Sequence, residues 1–162
     1  MGRTWNEGHT FLLVTGSSRG LGQAFAIALA GNILPNSVIY LTARTESALI
    51  ETRNEILKKN ERLHVKYFVA DQANSERQTY IKMLEDLRPD KFTSAIVIHN
   101  AGSIGRQGQM VEDYDDKEEM CNYYNLNLFS VAVLNSVFMK TFSSGTNLYK
   151  NGFNYLFPPV LV

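Results

Sequence analysis

Gly16, Gly20 and Gly22 are spaced as G-x-x-x-G-x-G immediately after the apolar run Leu12-Leu13-Val14. Glycines at that spacing let a chain turn sharply, let its backbone approach an anion closely, and let the helix that follows pack tightly on the strand before it. A helix N-terminus leaves N–H donors without intrahelical partners, and these suit a phosphate. Gly16, Ser17, Ser18, Arg19, Gly20, Leu21 and Gly22 are therefore the predicted pyrophosphate-binding turn of a dinucleotide site. The alternative phosphate loop, G-x-x-x-x-G-K-[ST], is absent and no lysine follows the glycines, which argues against phosphoryl transfer.

What stands after the next apolar run separates the cofactors. A carboxylate there would hold a ribose diol, whereas an arginine pairs with a 2′-phosphate. Here Arg44 and Thr45 follow Val38 to Ala43, so NADP(H) is favoured over NAD. Arg19 offers a second cation from within the glycine turn. An S-adenosylmethionine site wants an acid at the Arg44 position and is the weaker alternative. Asp71, with Gln72 beside it, lies where a group could accept from the adenine amino group; capping the next helix is the competing role. Asn100-Ala101-Gly102, after a further apolar run, supplies small residues where a cofactor ribose must come near the backbone.

The elements that must position these residues alternate. Strands are predicted over Thr10 to Thr15, Ser37 to Ala43, His64 to Val69 and Ser94 to Ile98, each an apolar or β-branched run bounded by turn residues. Helices are predicted from Gln23 to Ala30 and from Glu46 to Asn60, the latter with Leu49, Ile50, Ile56 and Leu57 along one stripe. Another, capped by Asn74 or Ser75, carries Tyr80, Ile81, Leu84 and Leu87 inward and stops before Pro89. Such alternation implies an α/β fold: a Rossmann-type doubly wound parallel sheet, here incomplete, with about four strands and flanking helices. After a loop from Ser103 to about Asp115, one long helix is predicted from Asp116 to Phe142. Residues 1–146 read as the NADP-binding domain, and 147–162, aromatic and without period, as an irregular tail.

The chain has 162 residues, with 16 basic and 16 acidic side chains. That is one domain's worth, and the balanced charge gives no pull toward nucleic acid or an anionic membrane. The single cysteine, Cys121, forms no internal pair and no N-x-[ST] acceptor occurs, which fits a reducing, cytoplasmic setting. No apolar run approaches the about 20 residues that span a bilayer, so the chain reads as soluble. The acids Glu112, Asp113, Asp115, Asp116, Glu118 and Glu119 read as a helix start complementing the macrodipole, and no metal site is predicted.

Thr15 to Gly22 as T-G-S-S-R-G-L-G, Arg44, Asp71 and Asn100-Ala101-Gly102, in that order, resemble the short-chain dehydrogenase/reductases over about Thr10 to Asn147. Within that family, the loop His99 to Gly105, the segment Asn122 to Leu128 and the T-A-R ending at Arg44 are similar to the pterin-reducing branch. That branch acts on pterin side-chain carbonyls in tetrahydrobiopterin synthesis. The resemblance implies an NADPH-dependent carbonyl reductase with a small-molecule carbonyl substrate. Its active site would combine an asparagine on the long helix, matched here by Asn127, with a serine after a fifth strand and a Y-x-x-x-K. Asn125 is the runner-up to Asn127, but two residues apart on an α-helix they point about 200° apart.

The sequence departs from the family in its last part. No tyrosine is followed four residues later by lysine, and Ser143 and Ser144 precede the expected serine position. The implied reading is a truncated form that keeps the cofactor-binding half and lacks catalysis. The alternative is a non-catalytic dinucleotide-binding or dimerising module, a homodimer or heterodimer formed through helix 116–142. Either way the fourth strand is expected to present a bare edge, and Leu128, Val131 and Leu134 to lie open without a partner.

Overall fold

A computed structural model of the chain describes residues 8–105, 116–143 and 154–156. In chain order the elements are β1 (Thr10–Thr15), α1 (Gly20–Ala30), β2 (Val38–Ala43), α2 (Glu46–Lys59), β3 (His64–Val69), α3 (Arg77–Leu84), β4 (Ser94–Ile98), α4 (Lys117–Tyr124), a π-turn (Asn125–Phe129), α5 (Ser130–Ser143) and β5 (Asn154–Leu156). The strands form one parallel sheet in the order β3-β2-β1-β4-β5. The expected α/β Rossmann-type architecture is what the chain adopts.

Alternation along the buried strands builds two apolar layers. Leu12, Val14, Ile39, Leu41, Ile96 and Ile98 face Ala26 and Ala30 of α1 and Leu49 and Ile56 of α2. On the opposite face, Phe11, Leu13, Tyr40, Ala95 and Val97 meet Tyr80, Met83 and Leu84 of α3 and Leu134, Val137, Phe138 and Phe142 of α5. Phe11 is the hub of that layer, its ring centroid 5.0 Å from Tyr40 and 5.1 Å from Phe142. All of β1 is buried, so strand and helix layers fix the starting point of the glycine turn.

Four expectations need correction. Residues 147–162, read as irregular, contribute β5, which pairs Asn154, Tyr155 and Leu156 with Ile96, Val97 and Ile98. The C-terminal half of β4 is therefore covered, not bare. Neither Asn74 nor Ser75 caps α3, which starts later at Arg77. Their side chains instead donate to Asp71, Asn74 Nδ2 to Oδ2 at 2.7 Å and Ser75 Oγ to the main-chain oxygen at 2.7 Å. The single long helix is present as expected, continuous from Lys117 to Ser143, and includes the π-turn, where Ser130 N donates to Asn125 O. Leu134 is also not open: it is buried against the sheet, while Leu128 is exposed.

By length and composition this helix would suffice to cross a membrane. The apolarity of its second half is accounted for by the layer it builds with Phe11 and Phe92.

Candidate functional site

The registers Thr15↔Thr42 and Val14↔Ile98 bring the C-terminal ends of β1, β2 and β4 to one edge of the sheet. The loops after these strands carry Gly16 to Gly22, Arg44 and Asn100 to Gly102. The chain winds in opposite directions on either side of β1, through β2 and β3 on one side and β4 on the other. The strand order thus reverses between β1 and β4, the place where open α/β sheets take ligands.

Thr15 ties the two loops together. Its Oγ1 accepts from the N–H groups of Asn100 and Ala101, both at 3.0 Å. Asn100 returns the connection, its Nδ2 donating to Gly16 O at 3.1 Å. Contact this close is possible only for glycine. A Cβ on Gly16 would stand 2.9 Å from Ala101 N and Cα, and one on Gly22 would stand 2.4 Å from Gly16 O and from Asn100 Nδ2. Gly16 and Gly20 also hold φ of +63° and +58°, in the left-handed region that favours glycine.

The other side of the turn is built differently. A Cβ on Gly20 would meet nothing within 4 Å, and the N-terminus of α1 at Arg19 has no side-chain cap. The start of the helix at Gly20 thus stands beside open space, with first-turn N–H groups that have no intrahelical partner. The N-terminus of α2 at Thr45 is likewise without a side-chain cap. Arg19 and Arg44 are exposed. Among the described residues the ion pairs are Lys58 with Glu55 and Lys66 with Asp86, and no carboxylate among them pairs with either arginine. Donors, an open face and two exposed cations fit a dinucleotide carrying phosphates.

Not every predicted site residue faces that space. Ser17 is fully buried; its N–H and Oγ both point at Thr42 O, at 3.3 Å and 3.5 Å. Ser18 is half-buried and Leu21 exposed. Gln72 is buried too, donating from Nε2 to Thr42 Oγ1 at 3.3 Å and accepting from Tyr80 OH at 2.8 Å. Burial pushes the Tyr80 phenol up to about 12, the Ser75 hydroxyl acting against it and the Asp71 carboxylate with it, so Tyr80 stays a donor. Asp71 closes its own turn, Oδ1 accepting from Ala73 N at 3.2 Å. Each carboxylate oxygen keeps a further lone pair for a ligand.

Asn127 lies in the π-turn and reaches the loop after β4. Its Nδ2 donates to Ser103 O at 2.9 Å and to Tyr123 O at 3.0 Å, while Oδ1 accepts from Ser103 N at 3.0 Å. Both amide protons are thereby used, and the residue holds the loop beside Gly102, whose Cβ would stand 3.0 Å from Asn127 Oδ1. Within a π-turn Asn125 and Asn127 do not keep the 200° separation of an α-helix, and such turns recur at functional sites. Asp116 accepts from Glu118 N at 2.9 Å and Glu119 N at 3.1 Å as the N-cap of α4. Glu112, Asp113, Asp115 and Ser144 lie outside the described residues.

Two buried polar residues, His99 and Thr52, stand next to the predicted site without belonging to it. His99 is buried at the end of β4 with Nε2 2.8 Å from Asn135 Oδ1 of α5. Burial holds its pKa below the ordinary value, with the Asn135 bond acting in the other direction. Thr52 of α2 is fully buried behind the glycine turn. Its place was readable in principle, because Leu49, Thr52 and Ile56 share one helical stripe.

The sequence profile of the short chain dehydrogenases matches residues 10–147, and the chain belongs to that family. Among the proteins it is similar to, sepiapterin reductase of Xenopus tropicalis is 31% identical over 151 residues, covering 93% of this chain and 58% of the relative. Sepiapterin reductase of Rattus norvegicus is 33% identical over 144 residues, covering 88% of this chain and 55% of the relative. The chain thus spans little more than half the length of these relatives. Of solved structures, a putative short chain dehydrogenase from Pseudomonas syringae superimposes with a TM-score of 0.71 at 21% identity, covering 86% of this chain and 54% of that one. L-sorbose reductase from Gluconobacter frateurii, solved in complex with NADPH and L-sorbose, does so with a TM-score of 0.70 at 22% identity, covering 88% and 51%.

Proposed function

We propose that this chain is the NADPH-binding part of a carbonyl reductase of the sepiapterin reductase type, acting in tetrahydrobiopterin synthesis in the cytoplasm. The observation that carries the reading is the glycine turn. It is clamped at Gly16 and Gly22 by the loop after β4, while at Gly20 it leaves open space beside an uncapped helix start. The pyrophosphate would lie on the N–H groups of Gly20, Leu21 and Gly22, the 2′-phosphate beside Arg44 and Thr45 with Arg19 close to it, and the adenine beside Asp71. Ser17, Gln72 and Asn100 position the turn; Ala101 and Gly102 leave room for a ribose. NADPH, when bound, supplies the hydride for a carbonyl. Asn127 holds the Ser103 backbone in the loop after β4 and acts as a positioning residue.

The proton that must follow the hydride needs a placed acid, typically worth about 10²–10⁴ in rate. The family supplies it with Y-x-x-x-K, a pattern these 162 residues do not contain. The chain by itself is therefore proposed to bind cofactor without turnover. The test is a fluorescence titration of the folded chain with NADPH. Saturable binding supports the reading, and no binding at millimolar cofactor refutes it.

A second reading, a dimerising module, has its own observation. Met120, Tyr123, Tyr124, Leu128 and Phe129 are exposed along α4 and the π-turn, and neither element has a buried residue. The proposed partner is the same helix face of a second copy or of a full-length relative.

A further inference from the structure

We propose that Thr52, on α2, is a positioning residue for dinucleotide binding, setting the glycine turn from behind through the carbonyl of Ser17. The inference rests on the NADPH-binding reading above. The Thr52 Oγ1 lies 3.0 Å from Ser17 O and 3.0 Å from Ala48 O, and it accepts from Gln23 Nε2 at 3.1 Å. The bond to Ala48 is the back-bond open to any threonine within a helix. The other two are tertiary and join three elements: α1 through Gln23, α2 through Thr52, and the turn through Ser17.

One hydroxyl carries one proton. With Gln23 donating into its lone pairs, that proton is directed at the two carbonyls, and the Ser17 carbonyl is the one that belongs to the turn. Ser17 is also bound through its N–H and Oγ to Thr42 O. The turn is therefore held on its inner side at a residue with no exposed surface. A peptide unit is planar, so anchoring the Ser17 carbonyl fixes the orientation of the N–H of Ser18. Ser18 is the next residue toward Arg19 and the open face at Gly20. Gln23, in the first turn of α1, is pulled toward α2 by the same hydroxyl, which sets where the helix N-terminus points.

Shape and hydrogen bonding can be separated at this position. Thr52→Val keeps the volume and removes the hydroxyl; Thr52→Ser keeps the hydroxyl and removes the methyl group. Each variant of the 162-residue chain is titrated with NADPH and NADH and melted in parallel. The expected result is an affinity loss of about fivefold to tenfold in Thr52→Val, the scale of one lost buried hydrogen bond. The loss should be equal for both cofactors, since the pyrophosphate is common to them. Thr52→Ser should bind like the wild type even though its missing methyl lowers the melting temperature.

The proposal is overturned if Thr52→Val binds like the wild type, or if affinity follows the melting temperature so that Thr52→Ser is the weaker binder. If Thr52→Val does not fold, Gln23→Met carries the test: it removes the donor to Thr52, and unchanged affinity overturns the proposal. A folded wild type that binds neither cofactor defeats the NADPH-binding reading itself, an outcome distinct from a wild type that binds and variants that bind equally.

Discussion

Alanine at each of the three turn glycines should separate folding from binding, because the three face different surroundings. At Gly20 the added methyl meets nothing within 4 Å, and the cost is the left-handed φ of +58° alone, about 1–2 kcal/mol. For a chain of this size each 1 kcal/mol lowers the melting temperature by about 2–4 °C, so Gly20→Ala should melt about 2–8 °C below the wild type and remain folded. At Gly22 the methyl would stand 2.4 Å from Gly16 O and Asn100 Nδ2, and at Gly16 it would stand 2.9 Å from Ala101 backbone atoms with a φ of +63° in addition. Backbone must move at both, which costs roughly another 1–3 kcal/mol by analogy with overpacked cores. Binding should follow a different order. The Gly20 methyl projects toward the open face where a pyrophosphate would lie, and losing one charge-assisted hydrogen bond there is worth about 1.5–3 kcal/mol, or tenfold to hundredfold in affinity. Thermal unfolding and NADPH fluorescence titration on the same preparations read both quantities. If folded Gly20→Ala binds NADPH within a factor of about two of the wild type, the phosphate does not sit on this turn and the placement of the cofactor is wrong.

Arg44→Asp should weaken NADPH more than NADH in the same titration, since it exchanges a cation for an anion beside the 2′-phosphate, and the wild-type preference should shrink with added salt; an unchanged preference would make Arg44 an ordinary surface charge. The chain should oxidise no NADPH with pterin or dicarbonyl substrates, and turnover in a spectrophotometric assay would direct attention to Tyr149 and Tyr155 as acids. On a sizing column it should elute larger than a monomer, and Leu128→Glu should shift it to later elution if the exposed face of α4 and the π-turn is the contact. Burial holds His99 neutral in the folded chain by lowering its pKa, so its contribution to stability is fully present above the ordinary value of 6.5 and is lost as pH falls toward the folded value. Urea midpoints should drop between pH 7 and pH 5, and an Asn135→Ala chain, lacking the acceptor beside His99 Nε2, should start from a lower midpoint.

What the sequence discloses and what it hides divide along the range of the interactions involved. β1, β2 and β4 were readable because each is an apolar run whose own composition demands burial on both faces, β3, at the sheet edge, because its β-branched and aromatic residues stand between turn residues, and the glycine turn because a left-handed φ at Gly16 and Gly20 leaves few other residue types possible. The start of α3 was misplaced for a local reason of another kind. Asn74 and Ser75 are good caps in isolation, but Asp71 stands within reach and takes both side chains first. β5 could not be read from Asn154-Tyr155-Leu156, since three residues have no period and the pairing is dictated by the open main chain of β4. Asn127, within the π-turn, likewise makes both its bonds to Ser103 across 24 residues of sequence, a pairing that no local pattern announces. Thr52 shows the remaining kind of omission. A stripe of Leu49, Thr52 and Ile56 reads as apolar with one polar interruption, which pattern alone treats as noise. A buried hydroxyl must find partners, so such an interruption is better taken as a marker that polar backbone lies opposite. Here that backbone is the carbonyl of Ser17.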